Sequence, residues 1–156
     1  MLKTVYISLT QSKQVSRFGT HWENIGFQGN DPATDFRGVG VFGLLQLLHF
    51  AKASACENVA KTVYALSCDS VQNFPFSVVS LNITRLVLGA LKCGNLNRIC
   101  NQNQNVMDVC NGVHAGCYSY FYSLWNRDKR TIADAGFVMK DLEKALAKSP
   151  KRMMKL

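Results

Sequence analysis

Apolar residues recur at helical spacing along most of this 156-residue chain. From Val39 to about Leu66, positions Val41, Leu44, Leu45, Leu48, Ala51, Ala55, Val59 and Val63 stand three or four apart, with Gln46, His49, Lys52 and Lys61 largely between them. Side chains at that spacing share one helix face, so the pattern predicts one long amphipathic helix. A turn around Asp69, Asn73 and Pro75 follows. Residues 76–91 are apolar nearly all round, which predicts a central buried helix closed by Gly94. Asn97 to Asn105 is rich in Asn and Gln and reads as a surface loop. Asp108 to Asn126 reads as a helix ending in Tyr118, Tyr120, Phe121, Tyr122 and Trp125, aromatics dense enough to belong to the core. A last helix from about Ala133 to Lys148 carries the stripe Phe137, Val138, Leu142, Ala145 and Leu146, with Thr131 or Asp134 as N-cap and Pro150 as its stop. Only Thr4 to Leu9 alternates as a strand would. One strand builds no sheet, so a helix or an irregular arm is expected there.

The expected fold class is therefore all-α, a single compact domain over 1–156 without repeats or linkers. It divides into a loop at 21–40, a helical core at 41–148 and a basic end at 149–156.

Residues 21–40 fit neither a helix nor an ordinary surface. The segment holds four Gly and one Pro, and joins the bulky pair Trp22 and Phe27 to a polar run that ends where the long helix begins. Long loops anchored by aromatics are usually functional. The spacing Gly38-x-Gly40-x-x-Gly43 matches the dinucleotide fingerprint, which requires a preceding strand and a βαβ unit. Thr34-Asp35-Phe36-Arg37 is a turn instead, and the chain offers no sheet. Arg37 is the informative residue. It stands between Asp35 and two glycines, just before a helix. Asp35 could hold the guanidinium as a brace, the commoner role of neighbouring Arg and Asp. Alternatively, a positioned planar cation suits phosphate recognition.

Charge alters the picture only in part. Lys and Arg number 18 against 10 Asp and Glu, for a net charge of +8. Residues 1–128 hold 10 basic and 7 acidic side chains, and residues 129–156 hold 8 and 3. The excess thus lies toward the end, in Lys144, Lys148, Lys151, Arg152 and Lys155, read as the solvated face of a last helix and a frayed basic tail. No zinc finger, RRM signature or leucine zipper accompanies it, so no nucleic-acid partner is expected. A few cations near an anionic leaflet give at most weak, salt-sensitive membrane contact.

The longest apolar stretch, Val41 to Ala55, is broken by Gln46, His49 and Lys52 and is too short to span a bilayer. The start, MLKTVYISLTQSK, has no long apolar run of a secretory signal. A cytoplasmic chain with reduced thiols is expected. Cys110-x3-His114-x2-Cys117, with Cys100 upstream, is the nearest approach to a metal cluster. It lacks the paired knuckles of structural zinc, and no metal is assigned.

The stretch HWENIGFQGNDPATDFRGVGVFGLLQLLHF resembles the signature of the ELMO (engulfment and cell motility) domain. Its residues Trp22, Ile25, Gly26, Phe27, Gln28, Pro32, Thr34, Asp35, Arg37, Gly38 and Gly40 carry the pattern. The segments NFPFSVVSLNITR (73–85) and ADAGFVMKDLEKALAKSP (133–150), with the KRMMK ending, extend the resemblance over most of the chain. It implies the helical ELMO fold. It also implies an activator of Arf and Arf-like small GTPases, with Arg37 as the arginine finger. The engulfment-scaffold branch, which works with Dock-type exchange factors, lacks that Arg.

In the implied mechanism the GTPase brings its own GTP and Mg²⁺, and this chain needs no cofactor. Arg37 neutralises charge on the β/γ oxygens in trans. Gln28 could touch the attacking water or the partner's switch region, or bond within its own loop. Thr34 belongs to the same motif, and Asp35 would orient Arg37. Trp22, Phe27 and Pro32 would fix the loop, and Gly38 and Gly40 would admit the partner. The alternative is a non-catalytic ELMO adaptor or effector that binds a small GTPase or scaffold in cytoskeletal or membrane-traffic signalling. In that case Arg37 adds affinity rather than rate.

Overall fold

Eight α-helices and three short 3-10 turns make up the computed structural model, described here for residues 1–154; Lys155, counted above in the basic tail, lies outside the described residues. No described residue is in a strand. The helices are α1 (Leu2–Thr10), α2 (Gly40–Lys52), α3 (Glu57–Ser67), α4 (Phe76–Lys92), α5 (Asn97–Asn103), α6 (Val106–Arg127), α7 (Ala135–Lys148) and α8 (Pro150–Met153). The 3-10 turns are Thr20–Ile25, Pro32–Gly38 and Ile132–Asp134. The alternating segment near the start is thus a helix, as expected of a lone strand-like stretch.

α2, α4 and α6 pack on one another to form the centre. α4 buries Phe76, Val79, Leu81, Ile83, Val87 and Ala90, as its all-round apolar pattern predicts. α6 supplies Val109, Val113, Cys117, Tyr118, Phe121 and Trp125. Their rings form a continuous stack. Phe50 lies 4.7 Å from Tyr118, Tyr118 lies 5.1 Å from Phe76, and Phe121 lies 5.0 Å from Trp125. The two buried polar tips are satisfied: Tyr118 Oη donates to the Phe76 carbonyl at 2.7 Å, and Trp125 Nε1 to the Gln72 carbonyl at 2.7 Å. Buried aromatics of this kind are stabilising only when such donors find partners.

Several expectations are corrected. The long helix expected over 39–66 is two helices. Ala53 adopts an extended conformation (φ −65°, ψ 133°) at the end of α2, and α3 starts at Glu57. The buried face of α2 is also rotated. Gln46 faces the core, fully buried, and donates from Nε2 to the Cys110 carbonyl at 3.0 Å, whereas Val41 is 67% exposed. The Asn-rich stretch forms α5, because Ile99 and Cys100 reach the core on one face. In α7, Val138, Leu142 and Leu146 are buried, but Phe137 is 67% exposed. Thr131 does cap the turn before α7: its N–H and hydroxyl both donate to the Asp134 carboxylate, at 2.9 and 3.3 Å.

The basic end is not frayed where it is described. Pro150 opens α8 rather than closing the chain's helical run, and Met153 is buried against α6. Gly116 makes this possible, since a Cβ there would lie 1.2 Å from the Met153 carbonyl oxygen. Lys151 and Arg152 remain exposed.

No single helix among the described residues is long and apolar enough to cross a membrane. Cys110, His114 and Cys117 do not gather as ligands. His114 Nε2 instead lies 3.0 Å from the Ser80 hydroxyl, and no group of three or more metal-ligating side chains converges among the described residues.

Candidate functional site

The loop at 21–40 is built from its aromatics outward. Trp22, Ile25 and Phe27 are buried, and the Trp22 and Phe27 rings meet edge-on at 6.1 Å. Phe27 in turn lies 5.7 Å from Phe36. Trp22 Nε1 donates to the Arg17 carbonyl at 3.0 Å, which draws the preceding segment under the loop. Much of the segment expected to be a loop is in fact 3-10 turn, and removing each large ring from water adds about 1.5–3 kcal/mol to fixing it.

The loop is then clamped to the first turn of α4. Ser77 Oγ donates to the Ile25 carbonyl at 2.7 Å, and the Val78 N–H to the Gly26 carbonyl at 3.2 Å. Gly26 has φ +79°, and a Cβ there would stand 2.3 Å from the Phe76 nitrogen. Only glycine meets both demands. The sequence reading did not find this clamp, because Ser77 sits in a run that registers only as apolar core.

Two backbone turns shape the second half. Asp31 caps the Pro32–Gly38 turn by accepting from the Ala33 N–H at 3.0 Å, and its carboxylate also takes Arg17 Nη1 at 2.7 Å. These two partners, the backbone N–H first, hold the Asp31 carboxyl below the usual carboxylate range. Pro32 is buried at the start of the turn, where it needs no N–H partner. Thr34 Oγ1 donates to the Asp31 carbonyl at 2.9 Å. Gly40 has φ +61° and open space around it, so backbone conformation rather than close approach demands glycine there.

Asp35 does not brace Arg37. Its Oδ2 accepts from the Gln28 N–H at 2.7 Å, joining the two limbs of the loop. Arg37 is exposed on the same 3-10 turn, and among the described residues it has neither an ion-pair nor a hydrogen-bond partner. Gln28 is exposed, with only its backbone N–H engaged.

Gln28, Thr34, Asp35, Arg37 and Gly38 line one depression of about 310 Å³, whose other wall is Val78, Leu81, Asn82 and Arg85 from α4. Trp22, Phe27 and Pro32 lie outside the lining, as its support, and Gly40 lies outside it as well. Arg85 is absent from the sequence reading. The signal for it is there: it is the single charged residue between Phe76 and Leu91. The lining holds two guanidiniums and one carboxylate, and no His, Cys, Lys or Tyr. A neighbouring depression of about 490 Å³ shares Gln28 but carries Glu23 and no Lys or Arg. Such an arrangement offers fixed donors to an anion. Two of its other polar side chains are engaged within the loop: the Thr34 hydroxyl with the Asp31 carbonyl and the Asp35 carboxylate with the Gln28 N–H.

Comparison with known proteins places this geometry. Residues 1–139 match the ELMO/CED-12 family. The chain is 43% identical over 156 residues to ELMO domain-containing protein 3 of Mus musculus, and 41% identical to that of Homo sapiens, in each case over 99% of this chain. ELMO domain-containing protein 2 of Mus musculus is 33% identical over 92 residues, 59% of this chain and 31% of its own. The chain spans 41% of the length of the two longer matches. No solved structure matches it. The loop at 21–40, its clamp on α4 and helices α1 to α6 fall inside the matched range, and the chain belongs to the ELMO/CED-12 family.

Proposed function

We propose that this chain activates Arf or Arf-like small GTPases by lending Arg37 in trans. The observation that carries the reading is the state of that side chain. It is exposed, free of any intramolecular counter-ion, and mounted on a turn whose foundations are buried. With no intramolecular partner to give up, the guanidinium is available to a phosphate, and its planar fork fits the β/γ oxygens.

The partner supplies the nucleotide and its Mg²⁺. The chain's part is to place one cation where charge builds in the transition state, worth about 10³–10⁵ in rate for arginine fingers generally. Gln28, on the same rim, is placed to meet the partner's switch region. Asp35 acts through the loop by fixing the Gln28 backbone and leaving Arg37 free.

The test is single-turnover GTP hydrolysis by a panel of Arf-family GTPases with the wild-type chain, Arg37→Lys and Arg37→Ala. The expected result is stimulation of at least one member, lost by about 10³ or more in Arg37→Ala and largely lost in Arg37→Lys, which keeps charge without the fork. Absence of stimulation across the panel refutes the activator role. Equal activity of Arg37→Lys refutes the finger assignment.

A further inference from the structure

We infer that Arg85 is a second anion-binding residue of this surface, holding an acidic side chain of the docked GTPase while Arg37 addresses the nucleotide. The inference rests on the activator reading of the same depression. Arg85 stands on α4, and a Cβ on residue 38 would lie only 3.0 Å from its Nη2. Its guanidinium therefore lies across the backbone of the residue that follows Arg37, in space left open by Gly38. It is exposed, and among the described residues it has no carboxylate within ion-pair distance and no hydrogen bond. The single acid on the lining, Asp35, is taken by Gln28. Two guanidiniums without an ion-pair partner share one small depression with a single carboxylate, so the lining keeps a net positive charge that suits anionic oxygens from outside.

The mounting of the two arginines separates their roles. Arg37 rises from a loop turn. Arg85 rises from the central helix, flanked by the buried residues Ile83, Thr84 and Val87. A cation that meets a partner carboxylate, whose charge does not change in the reaction, interacts alike before and during it. It therefore raises affinity and on-rate rather than the chemical step. A planar fork of donors is matched by a carboxylate, and an Asp or Glu on the partner's docking face meets it bidentately.

The test uses the full chain and Arf-family GTPases loaded with GTPγS, with dissociation constants measured at low and moderate salt. It adds single-turnover hydrolysis at saturating chain. Arg85→Gln is expected to weaken binding about tenfold at low salt and to flatten its salt dependence, with Arg85→Lys recovering part of the loss. The saturated hydrolysis rate stays within about threefold of wild type. Arg37→Ala does the reverse, lowering the saturated rate far more than affinity. Binding of Arg85→Gln within twofold of wild type, or a loss confined to the saturated rate, overturns the assignment. If the wild-type chain binds without stimulating hydrolysis, the activator reading fails and the binding arm still decides Arg85. If no loaded member binds, both fall.

Discussion

The Asp35 carboxylate accepts a 2.7 Å hydrogen bond from the backbone N–H of Gln28, seven residues earlier, and leaves its near neighbour Arg37 unpaired. The acid of the motif thus ties the loop to itself and keeps the cation available. Asp35→Ala is expected to lower stability by about 1 kcal/mol, the worth of one such bond. It should also lower stimulated GTP hydrolysis by about 10–100-fold through misplacement of the loop. Asp35→Asn keeps an acceptor oxygen and should fall between Ala and wild type in both urea unfolding and hydrolysis. If Asn and Ala prove equally impaired, the charge matters rather than the bond to Gln28.

Two glycines allow the clamp on α4 to be weighed. Gly26 has φ +79° with the α4 backbone 2.3 Å from a would-be Cβ, while Gly29 has φ +74° with nothing within 4 Å. Gly29→Ala carries only the backbone penalty, about 1 kcal/mol. Gly26→Ala carries that and a collision with Phe76 and Pro75, and should cost several kcal/mol. Chemical denaturation of the pair separates the two contributions. Equal losses would mean that the contact with α4 does not hold the loop.

Much of this was legible in the sequence, and the exceptions share a cause. Trp22, Phe27 and the glycines announced an ordered loop, the apolar run of α4 announced a central helix, and Thr131 with Asp134 announced a cap. What local pattern could not show was decided by partners far along the chain. The three- and four-residue spacing continues in phase through Ala53 to Cys56, so nothing local marks the break. Gln46 looks like a surface residue until the Cys110 carbonyl, 64 positions away, is there to receive it. Asn-rich α5 is helical because Ile99 and Cys100 find the core, a tertiary gain that overrides weak propensity. Arg85 reaches the loop only because α4 runs beneath it.

The end of the chain offers a third test. Gly116→Ala adds helix propensity to α6, worth about 0.5–1 kcal/mol. It also places a methyl where the Met153 carbonyl sits, which should expel α8 and the buried Met153 side chain. The balance should be a net loss of about 1–2 kcal/mol. Trypsin should then cut faster at Lys151 and Arg152. Unchanged cleavage with unchanged stability would show that α8 does not depend on this contact.

Acid should destabilise the protein through His114. Burial holds its folded-state value down to about 4, from an ordinary 6.5, with the Ser80 carbonyl opposing the shift. The unfolded chain therefore takes up a proton first. Stability is full above about pH 6.5 and falls as pH drops toward 4, by roughly 2–4 kcal/mol in total. Urea midpoints between pH 7 and 5 separate His114, and the half-buried His49 that burial shifts the same way, from the carboxylates, which titrate lower. His114→Gln should flatten the slope in that window, and an unchanged slope would assign it elsewhere.

The carbonyls of Ile25 and Gly26 end on Ser77 and Val78, so the candidate site shares part of its mechanical foundation with the central helix. A force applied to the loop is a force on α4. If the proposed GTPase docks here, the first turns of α4, which it would not touch on their buried side, should exchange their amide hydrogens more slowly. Conversely, a small substitution deep in α4 should shift the loop from below. In this chain, a change to the core helix is also a change to the candidate site.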